Sequence, residues 1–133
     1  MTTIPITTRL PEWMDQEIRA YWRRHGEKPS PGYRRVIEEW WVRENLPLLE
    51  FRDGVSGRRA GVCAGPDVWE VAWIASEYGH DVAPVEAHFG GYVPREAIEQ
   101  ALRYAEQFPE VIEEQIRENE RVENLLGRLS LPL

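Results

Sequence analysis

The chain opens on a short alternating segment, IPITTRL at residues 4–10, and then shows two helical patterns in succession with no second strand beside it in sequence. An isolated strand leaves a row of backbone N–H and C=O groups without partners, which folded proteins rarely tolerate. With helices next in sequence, the available partner is the same segment of a second copy. This predicts an intermolecular two-stranded ribbon, and hence a homodimer. By the period of two, Ile4, Ile6, Thr8 and Leu10 point to one face and Thr3, Pro5, Thr7 and Arg9 to the other. The first set is the inner face.

Residues 11–25 read as a helix. Pro11 suits a first helical position, Glu12 and Asp15 lie near the positive end of the helix dipole, and Met14, Ile18, Tyr21, Trp22 and His25 share a face. Gly26 ends it. A second helix is predicted to start with Ser30 as N-cap ahead of Pro31, to carry Tyr33, Val36, Ile37, Trp40 and Trp41 on one stripe, and to close at Pro47. The expected dimer core is therefore Ile4, Ile6, Leu10, Ile18, Trp22, Val36, Ile37 and Trp40. Trp22, Trp40 and Trp41 alone are more apolar area than one two-helix unit covers.

A two-stranded ribbon backed by four helices keeps one face free, and such a ribbon fits the major groove of DNA. The strand-helix-helix order, with TTRLP leading into the first helix and HGEKPSPGY between the helices, resembles the ribbon-helix-helix repressor family. The resemblance implies that Thr7 and Arg9 stand at outward base-reading positions, with Pro5 at a third. It also implies that the start of the second helix, Ser30 and Gly32 with Arg34, holds phosphates of operator DNA. Pro5 departs from the pattern, because it has no N–H to donate and only a small apolar ring. A dimerisation arm that never touches DNA is the competing reading of residues 3–10.

Beyond residue 46 the pattern changes. LLEFRDGVSGRRAGVC at 48–63 predicts two short strands about a turn from Asp53 to Gly57. Residues 66–80, PDVWEVAWIASEYGH, predict a helix capped by Asp67 and stopped at Gly79, apolar nearly all round and therefore buried. Asp81 caps a short helix to Phe89, Gly90 and Gly91 break it, and Pro94 starts another whose Ala97, Ile98, Ala101, Leu102 and Ala105 face inward. After Pro109 a last amphipathic helix runs from Glu110 to about Leu126. Residues 81–105 have the outline of a helix-turn-helix. Its outward row of Arg95, Glu96, Glu99, Gln100 and Arg103 mixes cations with acids, which suits packing better than phosphate binding.

The stretches FRDGVSGRRAGVCAGPDVWEVAWIASEYGHDVAPVEAHFG and PREAIEQALRYAEQFPEVIEEQI resemble the domain-of-unknown-function 433 family. That resemblance implies a hairpin leading into a winged-helix-like three-helix bundle, and an antitoxin encoded beside a ribonuclease-like toxin of the PIN type.

Charge is unevenly spread. Residues 1–59 hold 11 Arg/Lys against 9 Asp/Glu and residues 60–133 hold 5 against 14, so a balance of +2 precedes one of −9. Only the first part favours nucleic acid, whereas the second suits a basic partner. The expected toxin-binding element is the last helix, where Ile112, Ile116, Val122, Leu125, Leu126 and Leu129 supply burial and Glu113, Glu114, Glu118, Glu120 and Glu123 supply steering. Leu131 and Leu133 prolong its apolar tail.

Cys63 alone cannot close an internal disulfide, and His80 and His88 stand at no ligand spacing, so neither metal nor cofactor is expected. No Ser/His/Asp or Cys/His set and no phosphate loop stands out, which argues against an enzyme. A leader pattern is missing, as is any run of about 18 apolar residues, so the expected location is cytoplasmic with no membrane contact.

The expected fold is mainly α. Residues 1–46 form a ribbon-helix-helix dimerisation and DNA-binding module, 47–109 a hairpin and a helix-turn-helix-like bundle, and 110–133 a C-terminal amphipathic helix and apolar tail. The expected function is that of an antitoxin of a toxin-antitoxin system. As a homodimer or higher even oligomer it would repress its own operator DNA and neutralise a basic ribonuclease-like toxin protein. A dimeric scaffold that does not bind DNA and a stand-alone transcriptional repressor are the alternatives.

Overall fold

A computed structural model describes residues 2–129. Six helices hold 63% of these residues, and one antiparallel hairpin is their only sheet, as the mainly α expectation requires. The elements are α1 (Glu12–Arg24), α2 (Pro29–Asn45), β1 (Leu49–Gly54), β2 (Gly57–Val62), α3 (Val68–Glu77), α4 (Val82–His88), α5 (Arg95–Gln107) and α6 (Pro109–Leu129). None of the helices is long and apolar enough to cross a membrane. The chain divides into two compact units, residues 1–39 and 40–133. The boundary expected at 46 and 47 thus moves back into α2, because Val42 and Leu46 are fully buried in the core of the second unit.

In the first unit Pro11 is the cap of α1 rather than its first residue: its C=O accepts from the N–H groups of Met14 and Asp15, both at 3.1 Å. At the other end Gly26 (φ +67°) reverses the chain, so that Glu27 N–H reaches Trp22 C=O at 2.8 Å and Gly26 N–H reaches Arg23 C=O at 3.2 Å. Helix α2 starts at Pro29, ahead of the expected Ser30 cap, with Gly32 N–H donating to Lys28 C=O at 3.0 Å. Pro29 and Pro31 cost the helix nothing there, since first-turn amides have no partner within the helix.

Trp22, only 2% exposed, anchors this unit. The Tyr33 ring meets it edge-on with centroids 4.5 Å apart, and Gly32 lies so close that a Cβ would run into the indole. The Tyr33 hydroxyl donates to Asp15 at 2.8 Å, tying α2 back to α1. That bond, with a second from Arg19, holds the Asp15 carboxyl below its ordinary value, and the same bond pushes the Tyr33 hydroxyl up. Arg35 bridges Glu27 at 2.7 Å and Glu39 at 3.3 Å. Residues 2–10 carry neither helix nor strand, and make no backbone hydrogen bond to other described residues.

In the second unit the hairpin falls where the sequence puts it. Leu49 stands opposite Val62 and Gly54 opposite Gly57, with Val55 and Ser56 as the loop. Helix α3 lies at the centre, packed against β2, α5 and α6, and buries Val68, Trp69, Val71, Ile74 and Ala75. Asp67 does not cap α3 with its side chain. Its carboxylate accepts instead from Arg52 Nε at 3.2 Å and Trp69 Nε1 at 3.1 Å, pinning the hairpin to the start of α3. Asp81 does cap α4, accepting from Ala83 N–H at 3.4 Å. Val85, Val93, Ala97, Ile98, Ala101, Tyr104 and Ile112 complete the core.

Candidate functional site

Two surfaces carry the residues singled out by sequence. On the first unit Pro5, Thr7 and Arg9 are exposed, and so are their opposite-parity neighbours Ile4 (79%), Ile6 (68%) and Leu10. Val36 and Ile37 are about half exposed on α2, as is Trp40 one turn further along the same helix, and Ile18 is half-buried. Trp22 leaves the expected dimer core, since Gly32 and Tyr33 of its own unit already cover it. Trp13 joins the exposed apolar set at 60%. It lies off the Met14–Ile18 stripe, and its place three residues after Leu10 is the sequence signal for it.

The start of α2 is a poorer phosphate holder than its sequence implies. Pro29 and Pro31 have no N–H, while Gly32 is buried and its N–H is already given to Lys28 C=O. Ser30 is exposed and keeps a hydroxyl and an amide at this end, and exposed Arg34 has its Nε 2.8 Å from Glu38. Nearby cations that the sequence reading passed over are Arg23, Arg24 and Lys28, all exposed, in the basic run RRHGEK. Arg19 and Arg23 line a hollow of about 340 Å³ with Trp22, Glu27 and Pro29.

On the second unit three members of the helix-turn-helix row, Gln100, Arg103 and Arg95, are engaged by their own chain. Gln100 Oε1 accepts from Leu48 N–H at 2.8 Å, the Arg103 guanidinium lies 5.7 Å over the Trp41 ring, and Arg95 comes within 3.8 Å of Glu86. The expected toxin-binding stripe splits in two. Ile112, 4% exposed, sits in the core and Ile116 packs against it partly buried, so this half of the stripe faces its own chain. Val122, Leu125, Leu126 and Leu129 are exposed, and Leu131 and Leu133 lie outside the described residues.

The acids expected to steer a partner along α6 are partly neutralised. Arg117 (2.9 Å) and Arg121 (3.0 Å) both bind Glu114 and hold its carboxyl below the ordinary range, and Arg59 binds Glu118 at 2.9 Å. Acidic surface remains on Glu96, Glu99 and Glu106 of α5 and on Glu110 and Glu113 at the start of α6, all exposed. Compared with known proteins, the chain matches no family model, no curated protein and no solved structure.

Proposed function

We propose that the protein is a homodimeric DNA-binding regulator of ribbon-helix-helix type, with an acidic second unit that captures a basic protein in the manner of an antitoxin. One observation carries the first part. A two-helix unit with a single large buried anchor, Trp22, leaves Ile4, Ile6, Leu10, Val36 and Ile37 uncovered. Pairing residues 3–10 with the same residues of a second copy satisfies both backbone edges and covers that surface at once. Thr7 and Arg9 are then the outward side chains, and Arg23, Arg24, Lys28 and Ser30 are the groups at hand for phosphates.

Arg9→Ala is expected to weaken binding to a specific operator by about 1–3 kcal/mol, the worth of a bidentate arginine–guanine pair. Glu99→Ala on the second unit should leave it unchanged. A salt-controlled binding assay decides: equal affinity for wild type and Arg9→Ala makes residues 3–10 a dimerisation arm. The second part rests on the balance of −9 in residues 60–133 and on the exposed glutamates of α5 and early α6. A basic ribonuclease-like protein encoded next to this chain should co-purify with it at low salt and be lost at about 1 M salt, where screening is nearly complete. Failure to co-purify leaves a stand-alone repressor.

A further inference from the structure

Residues 120–129, the last turns of α6, are exposed on every face, whereas the first half of the same helix packs on α3 and α5. Such an extension is shorter than a helix that holds its own in water, and Gly127 within it lowers the helix propensity further. Val122, Leu125, Leu126 and Leu129 nevertheless follow the i, i+3, i+4, i+7 spacing of a seam that pairs with another helix. They are 47% to 76% exposed.

Charge indicates which helix. Glu120, Arg121, Glu123 and Arg128 balance, so this end has no net field to attract a strongly basic or acidic partner, and two copies of it do not repel. At about 100° per residue, Arg121 and Arg128 fall on one edge of the seam and Glu123 on the other. Arg121 also reaches Glu114 of its own helix, at 3.0 Å on that same edge. Two copies lying parallel set the arginine edge of each helix against the Glu123 edge of the other. Antiparallel copies set arginine edge on arginine edge.

We propose that the exposed end of α6 pairs in parallel with the same segment of a second copy of this chain, through Val122, Leu125, Leu126 and Leu129. This interface is separate from residues 3–10 and does not depend on DNA binding. In a parallel pair the two copies of residue 122 face each other across the seam, whereas Asn124 points away.

The test uses the full chain with Cys63→Ser and one new cysteine, under mild oxidation at micromolar concentration. Val122→Cys should give covalent dimers and Asn124→Cys should not, because a disulfide needs Cα atoms within about 7 Å. Glu123→Arg should suppress that cross-link, and adding Arg128→Glu should restore it. Equal yields from Val122→Cys and Asn124→Cys, or no cross-link from either, overturn the proposal. So does a cross-link that forms only when Val122→Cys chains are mixed with Leu129→Cys chains, the antiparallel result. Burial of the seam only on addition of a basic partner protein overturns it as well.

Discussion

Trp22→Ala is expected to melt the first unit and leave the second intact. Removing a fully buried tryptophan costs about 3–5 kcal/mol, made up of lost transfer free energy and the cavity left behind. In residues 1–39 the loss is not shared, because Trp22 is the large side chain on which both Gly32 and Tyr33 close. Without the indole the Tyr33–Asp15 hydrogen bond has no packing to hold it in place. Amide hydrogen exchange on the full chain separates the units: α1 and the first turns of α2 should lose protection, while α3 and α5 keep theirs. Gly32→Ala probes the same contact from the other side, and overpacking against the ring should cost about 1–3 kcal/mol. Unchanged protection of α1 in Trp22→Ala would mean that the unit is held by something other than its own tryptophan.

Ending the chain after Pro109 is expected to unfold the second unit, and ending it after Asn119 is not. Ile112→Ala alone should cost about 2–5 kcal/mol as a core truncation. The shorter chain loses Ile112 and Ile116 together, with the Arg59–Glu118 ion pair, and uncovers one side of α3. Typical domain stabilities of about 5–15 kcal/mol leave little room for that loss. The longer chain keeps all three contacts, and the described residues that it gives up, 120–129, are all exposed. Thermal unfolding followed by circular dichroism should show the transition of the second unit for the chain ending at Asn119 and lack it for the chain ending at Pro109. A wild-type melt from the shorter chain would refute the assignment of Ile112 to the core. The same arithmetic makes deletion of residues 110–133 unsuitable for mapping a toxin-binding surface, since it removes core as well as surface.

Local pattern alone determined where the elements lie. Proline and glycine mark the ends of α1, α4 and α5, the alternation about Asp53 to Gly57 marks the hairpin, and the near-continuous apolar run of 68–75 marks a buried helix. Each of these is a property of a few consecutive residues whose partners lie close by in sequence, whereas the equally local alternation of residues 4–10 forms no strand, having none beside it to pair with. The stripe on α6 was equally legible, yet periodicity says only which residues share a face and not what lies opposite. The tertiary structure decided that Ile112 and Ile116 meet α3 while Val122, Leu125, Leu126 and Leu129 meet none of their own core. It decided likewise that Trp22 is covered by Gly32, which takes the Gly32 amide out of reach of a phosphate. Gln100 with Leu48 and Arg59 with Glu118 are separated by 52 and 59 residues, and no local signal links them. Such contacts follow from how close-packed elements exclude one another's volume, which the spacing of residues along one element does not encode.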